Sequence, residues 1–254
     1  MQIRVSNERY VMTFNSNHWI PDLSRRIVSP ELMDDAAADE KMLFSTLKDF
    51  KYINRFLSQV RHVLRKTVFA DMRRRGAREV SFLDVAAGGC DIGLWFARVC
   101  GRMGVRCSVY CLDKDPRIMR YAKAASQGEQ SITFIESDAR DIGRLGLSVD
   151  YAFTNHFFHH LPDKDVPAML RVLHDCSRHG FVAQDLERNI WWYLGFTFIS
   201  GIFWRNGFTR NDGLLSIRRG FRRAELETYA ARAGVEVAIK RSGLGHWLIT
   251  NIQY

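Results

Sequence analysis

Apolar positions along this chain recur with two different periods, and the switching between them gives the first structural reading. From about Asp39 to Met72, Leu43, Leu47, Phe50, Ile53, Leu57, Val60, Leu64 and Val68 follow one another at three- and four-residue steps. That spacing predicts an amphipathic helix, or two with a break, able to cover a sheet and to roof a cavity. Val80-Ser81-Phe82-Leu83 then reads as a short buried strand, followed by Asp84 and the small residues Ala86, Ala87, Gly88 and Gly89. A helix opens at Asp91 and continues through Leu94, Trp95, Phe96 and Val99 until Gly101 and Gly104 stop it.

The alternation continues downstream. Val105 to Leu112 is a second strand ending in Asp113, and Asp115-Pro116 supplies an N-cap with proline at the first helical position. Ile132 to Glu136 and Val149 to Asn155 are the third and fourth strands, Val166 to Ser177 a helix, and Phe181 to Glu187 a fifth strand. Strands alternating with helices imply right-handed crossovers and a parallel sheet, with ligands at the carboxyl ends of the strands. Beyond residue 189 the rhythm changes to an aromatic segment, a turn at Asn211-Asp212-Gly213, and a helix near 221–233. Two last strands, Val235 to Lys240 and His246 to Asn251, are joined by a connection too short for a crossover, so they are antiparallel. The expected fold is a three-layer, doubly wound, Rossmann-like α/β sheet, mostly parallel with an antiparallel final strand, plus an N-terminal helical cap.

Small residues at the first strand-to-helix turn let a ligand lie against the backbone, beside the unpaired N–H groups of a helix N-terminus. Asp113 lies 25 residues beyond Gly88 (113 minus 88), where a carboxylate can accept both hydroxyls of a ribose. Asp138-Ala139 follows the third strand, suited to an adenine amino group and a backbone contact, and Asn155 ends the fourth. The closing antiparallel pair is not how a dinucleotide-binding domain ends.

Composition changes this picture in two places. Lys and Arg outnumber Asp and Glu, 37 to 28, with the excess in Arg61, Arg65, Lys66, Arg73, Arg74, Arg75 and Arg78 and again from Arg205 to Arg223. A +9 chain invites nucleic acid, an anionic surface or an acidic partner, but neither cluster falls within a recognisable nucleic-acid module, which favours a solvated helix face. Five cysteines form no C-x-x-C pair, and Cys107 and Cys111 in one strand stand about 13 Å apart, too far to bridge. A reducing, cytoplasmic setting is the expectation. Residues 1–10 lack the apolar core of a signal peptide, and the uncharged run 189–204 is shorter than a membrane span.

The glycine-rich first turn, Asp113, Asp138-Ala139, the fourth-strand sequence NHFFHHLPD and the closing hairpin together resemble the class I S-adenosylmethionine-dependent methyltransferases. They are similar in particular to small-molecule members with a histidine pair and Leu-Pro-Asp after strand four. SPELMDD resembles the N-terminal cap of some bacterial members found with secondary metabolism. The resemblance implies S-adenosylmethionine as cofactor, with Asp84, Ala86, Ala87 and Gly88 under its methionine part. It places Asp113 with Lys114 at the ribose, Asp138 and Ala139 at the adenine, and Asn155 near the sulfonium. The family's turn is usually G-x-G-x-G; Ala86, Gly88 and Cys90 stand at those places here, and alanine fits a backbone of negative φ.

A hydroxyl acceptor benefits from a base, and His159, His160 and His156 follow the fourth strand, with His159 and His160 placed ahead. No metal is expected, since no nearby cysteine or spaced carboxylate completes a site around these histidines. Residues 1–77 read as an arm and helical cap, 78–254 as the catalytic domain, and about 189–213 as an aromatic lid. The expected activity is methyl transfer, O-methylation foremost, to a small hydroxylated aromatic or lipid-like molecule. A nucleic-acid methyltransferase is the alternative enzyme, weakened because Asn155-His156-Phe157-Phe158 lacks prolines; a non-catalytic binding protein of the same fold is the other.

Overall fold

The computed structural model describes residues 21–27, 29–203 and 207–253. Seven strands form one sheet in the order β3-β2-β1-β4-β5-β7-β6. They are β1 Glu79–Val85, β2 Arg106–Asp113, β3 Ile132–Glu136, β4 Val149–Asn155, β5 Ser177–Leu186, β6 Ala238–Ser242 and β7 His246–Thr250. The first five run parallel; β7 is antiparallel to both β5 and β6. Chain order reverses between β1 and β4, and such a switch point opens a crevice at the carboxyl ends of the strands. Register brings those ends level: Val85 lies opposite Leu112 and Thr154, and Asp113 opposite Glu136.

Side chains alternating along β1 feed two cores. Phe82 faces the side covered by α2 (Val60–Lys66), α3 (Val68–Arg74) and α4 (Asp91–Arg102), where it stacks on Phe96 with ring centroids 4.0 Å apart. Leu83 faces the opposite side, with Leu170 of α6 (Val166–Cys176), Leu226 of α9 (Arg223–Ala233) and Phe181. The expected cap at Asp115 is present: its carboxylate accepts the Arg117 N–H at 2.8 Å, and Pro116 opens α5 (Pro116–Ala125).

The long periodic stretch after Asp39 is broken more than once. α1 (Glu40–Tyr52) passes into a π-helical turn, Ile53–Leu57, before α2 and α3. α2 and α3 cover the sheet, whereas Leu43 and Leu47 of α1 pack with Ile118 beside the β1–α4 turn. Both expected roles of the stretch are therefore filled, by different pieces of it.

One expectation needs correcting, and two further features had no signal in the sequence. Asn211-Asp212-Gly213 is not a turn but lies inside α8 (Gly207–Arg219). Asp212 is buried there and accepts the N–H groups of Leu32 and Met33 at 3.0 Å, while a Cβ on Gly213 would lie 2.4 Å from the Phe196 ring. The Asp-Gly pair thus serves helix packing, which imitates turn chemistry in sequence. Where it is described, the segment before residue 39 packs on the domain: Glu31 is 4% exposed and Arg26 donates to the Arg219 carbonyl at 2.7 Å; residues 1–20 lie outside the described residues. Finally, Cys90 and Cys111 form a disulfide, because the start of α4 sits over β2; Cys100, Cys107 and Cys176 are free.

Candidate active site

A cavity of about 520 Å³ occupies the switch-point crevice. Every sequence-predicted site residue lines it: Asp84, Ala86, Ala87, Gly88, Asp113, Lys114, Asp138, Ala139, Asn155, His156, His159 and His160.

At the β1–α4 turn, Ala86, Gly88 and Cys90 have φ of 55°, 52° and 56°. All three positions of the G-x-G-x-G pattern are left-handed, so the negative φ expected of Ala86 is not found. Alanine and cysteine there carry strain of roughly 1–2 kcal/mol each. The turn is held from below by carboxylates. Asp84 accepts the Gly93 N–H at 3.1 Å, and Asp113 accepts those of Gly88 at 2.9 Å and Asp115 at 3.1 Å. Burial raises the Asp84 carboxyl well above its ordinary range, with Asp91 adding to the rise; burial also raises Asp113, against the pull of those N–H groups. Asp138 caps the turn after β3 and pairs with Arg140 at 2.7 Å, which lowers its pKa.

The donor set fits an adenosyl sulfonium bearing an amino acid. A carboxylate ends β2, the backbone at Gly88 lies open to the cavity with its nearest neighbour for a Cβ at 4.0 Å, and Asn155 Oδ1 is buried without a partner among the described residues. Asn155 Nδ2 donates to Asn54 Oδ1 at 2.9 Å, and Asn54 Nδ2 to Asp91 Oδ1 at 3.1 Å. Asn54 sits in the π-helical turn, a deformation that recurs at functional sites, and sequence periodicity gave no sign of it.

The other half of the cavity is a histidine cluster. His159 lies between two buried carboxylates, its Nδ1 2.7 Å from Asp185 Oδ1 and its Nε2 3.4 Å from Glu31 Oε1. Burial disfavours the imidazolium, but the two carboxylates overcome it and push His159 up to about 9. Burial opposes ionisation of Glu31 too, yet His160 and His159 bring it down to about 2. His160 spans Asp34 at 3.4 Å and Glu31 at 3.8 Å, and Arg219 pairs with Glu31 at 3.3 Å.

His156 and His246 form a separate pair with Nε2 atoms 2.7 Å apart. His246 Nδ1 lies 2.7 Å from the Leu244 carbonyl, which can only accept, so Nδ1 carries the proton. Burial pushes His246 down to about 4 and His156 well below its ordinary value, so both rings are neutral near pH 7. His246 Nε2 is then an acceptor, His156 Nε2 donates to it, and His156 Nδ1 is left with a lone pair. His156 holds φ of 53°, another left-handed non-glycine position in the cavity wall.

Glu31, His159 and His160 could hold a metal ion, so a spaced carboxylate does reach the histidines, contrary to the expectation. Arg219, paired with Glu31 at 3.3 Å, competes with a divalent cation for that carboxylate, whereas the Asp185 bond to His159 Nδ1 suits either a protonated or a metal-ligating imidazole. Glu31, Asn54, Asp185, Arg219 and the role of His246 were missed from sequence. The only signal was SPELMDD, which carries Glu31 and Asp34.

The remaining wall is apolar: Trp191, Trp192, Phe196 and Ile199 of α7 (Ile190–Phe203), with Ile217 of α8. Among the described residues, no helix is long and apolar enough to cross a membrane. Several of the basic residues are committed internally, Arg74 and Arg75 to Asp71 and Arg223 to Glu227.

Residues 82–180 match the methyltransferase domain family. No protein of curated function matches the chain by sequence. Among solved structures, PigF with SAH is similar at 15% identity and a TM-score of 0.60, over 89% of this chain and 63% of that one. A SAM-dependent methyltransferase from Aquifex aeolicus aligns at 16% identity and a TM-score of 0.51, over 82% of this chain and 96% of that one. Magnesium protoporphyrin IX methyltransferase (ChlM) from Synechocystis PCC 6803 with bound SAH aligns at 15% identity and a TM-score of 0.50, over 74% and 80%. At such identities the likeness concerns the fold. Residues 82–180, from β1 into β5, thus match a methyltransferase domain, the fold is shared with S-adenosylmethionine-dependent methyltransferases, and the strand-end cavity suits that cofactor.

Proposed function

We propose that the protein methylates a hydroxyl group on a small aromatic or lipid-like molecule. The carrying observation is one cavity that joins the strand-end carboxylates, a neutral histidine with an available lone pair, and the apolar wall of α7. In this reading residues 78–254 form the catalytic unit, 1–77 an arm and cap, and α7 with its flanks, about 189–213, the lid. Residues 204–206 of that lid lie outside the described residues.

S-adenosylmethionine, when bound, supplies a methyl group already activated on sulfur. The chain's own work is alignment and proton management. Asp113 and Asp138 with Ala139 hold the nucleoside, the Gly88 backbone passes under the methionine part, and Asn155 lies near the sulfonium. His156 Nδ1 accepts the acceptor's hydroxyl proton, with His246 fixing the tautomer from behind. His159 and His160 lie beside it; His159, positively charged and bonded through both ring nitrogens, favours a developing oxyanion rather than taking a proton. Trp192 and Phe196 exclude water from the acceptor.

Calorimetry with S-adenosylmethionine, followed by SAH release over a panel of simple phenols and long-chain alcohols, tests this reading. Micromolar cofactor binding with turnover on at least one panel member is expected. His156→Ala should lower kcat about 10²- to 10⁴-fold, the usual share of a general base, and leave cofactor affinity unchanged. Turnover confined to amines or to nucleic acid would overturn the reading, as would unchanged kcat in His156→Ala.

A further inference from the structure

The outer face of α7 is as apolar as its inner one. Trp191, Leu194, Phe198 and Ile202, spaced three and four residues apart, are 74%, 42%, 71% and 58% exposed, and α7 carries no charged residue. The positions between them, Trp192, Gly195, Phe196 and Ile199, line the cavity. One face of this helix roofs the cavity, and among the described residues nothing covers the apolar stripe on the other.

The stripe continues beyond α7. Trp192 packs on Gly245, where a Cβ would lie 2.7 Å from its ring, and the Leu244 N–H donates to the Leu57 carbonyl at 2.8 Å. The β6–β7 connection thus joins the start of α7 to the π-helical turn, and Leu244, Phe56 and Tyr52 extend the exposed apolar surface at 46%, 59% and 62%. Trp191 belongs both to this surface and to the cavity lining, so the cavity opens onto it.

Charge indicates what the surface meets. Residues 41–66 hold seven cations, Lys41, Lys48, Lys51, Arg55, Arg61, Arg65 and Lys66, against the single acid Asp49, whose carboxylate accepts the Thr209 hydroxyl at 2.6 Å. Among the described residues only Arg61 of the seven makes a salt bridge, and the Arg55 guanidinium lies 5.4 Å over the Phe56 ring. Lys51 lies over the Tyr121 ring and Arg61 and Arg65 over Trp95, which places Arg55, over Phe56, as the cation at the surface itself; exposed tryptophan and phenylalanine next to a cation-rich segment match the chemistry of the boundary between acyl chains and anionic headgroups. We propose that this surface docks the protein on an anionic lipid bilayer, with α7 lying in the interface and the cavity mouth at Trp191 facing the lipid.

The proposal concerns binding and holds whichever acceptor the site takes. Vesicle sedimentation tests it, using phosphatidylcholine alone and phosphatidylcholine with 30% phosphatidylglycerol. The wild-type protein should partition at least tenfold more strongly onto the anionic vesicles, and added salt should weaken it. Phe198→Asp with Ile202→Asp should cut partitioning at least tenfold, and Lys48→Glu with Arg55→Glu should abolish the preference for phosphatidylglycerol. None of these four side chains lines the cavity, so calorimetry should show unchanged cofactor affinity. Two results would overturn the proposal: no partitioning of the wild type onto either vesicle, or partitioning that both variants retain. Light scattering reads the rival occupant: a wild-type dimer that Phe198→Asp with Ile202→Asp dissolves, without vesicle binding, would assign the stripe to a second copy instead.

Discussion

Asp185→Asn tests the electrostatic arrangement under the histidine cluster. The Asp185 carboxylate is 1% exposed and accepts from His159 Nδ1 at 2.7 Å, the Leu186 N–H at 2.7 Å, the Phe157 N–H at 3.1 Å and the His159 N–H at 3.2 Å. An amide of the same shape turns an NH2 toward one of these donors and removes the countercharge of His159. Breaking one partner of a buried pair costs about 3–5 kcal/mol. Linkage sets a ceiling of similar size: raising His159 from 6.5 to about 9, at about 1.4 kcal/mol per pH unit, is worth about 3 kcal/mol, supplied against burial by Asp185 first and by Glu31 with it. Because the folded-state value is raised, that stabilisation is complete below pH 6.5 and is lost as pH climbs through about 9. The melting gap between wild type and variant should therefore be about 6–12 °C at pH 6 and narrow markedly by pH 9.5, taking about 2–4 °C per kcal/mol for a chain of this size. Comparing the two proteins at each pH cancels the groups they share. A gap under 2 °C at pH 6, or one independent of pH, would refute the charged His159.

Other expectations are independent of that one. Gly93→Ala should lower stability by about 1–3 kcal/mol in thermal melts, because the new Cβ would lie 2.7 Å from Cys111 Sγ and 3.2 Å from Val109. Ala86→Gly should raise the melting temperature slightly, since relief of a φ of 55° outweighs the entropy glycine adds to the unfolded chain by about 1 kcal/mol at most. Reduction of Cys90–Cys111, followed by thiol counting, should cost about 3 kcal/mol for a loop of 21 residues' separation. His246→Phe removes the acceptor that orients His156 and should lower kcat at least tenfold with cofactor affinity intact; partial rescue by His246→Asn, which keeps an acceptor, would separate positioning from packing. His246 has the opposite pH sign to His159: its neutral form stabilises above pH 6.5, and this is lost as pH falls through about 4.

The class of fold and the gathering of the strand-end residues around one cavity were readable from sequence because both depend on short-range regularities. Strand and helix periods set the alternation, a capped Asp115-Pro116 set a helix start, and each of Asp84, Asp113 and Asn155 stands at the end of its own strand. Parallel register then brings those ends together without further specification. The hairpin at the end was equally legible, since the five residues between Lys240 and His246 leave no other connection.

Tertiary structure alone decided the rest. Glu31 reaches His159 across 128 positions, Asp185 reaches it from β5, and His246 meets His156 from the far end of the chain. No local pattern encodes such meetings, because each depends on where separately formed elements pack. The same holds for Asp212 and Gly213: in sequence they read as a turn, and only the Phe196 ring and the Leu32 and Met33 N–H groups beside them make a helix the better state. Charge states followed the same division. A histidine's intrinsic pKa belongs to the residue, but His159 is cationic and His246 neutral because burial and the carboxylates around them differ.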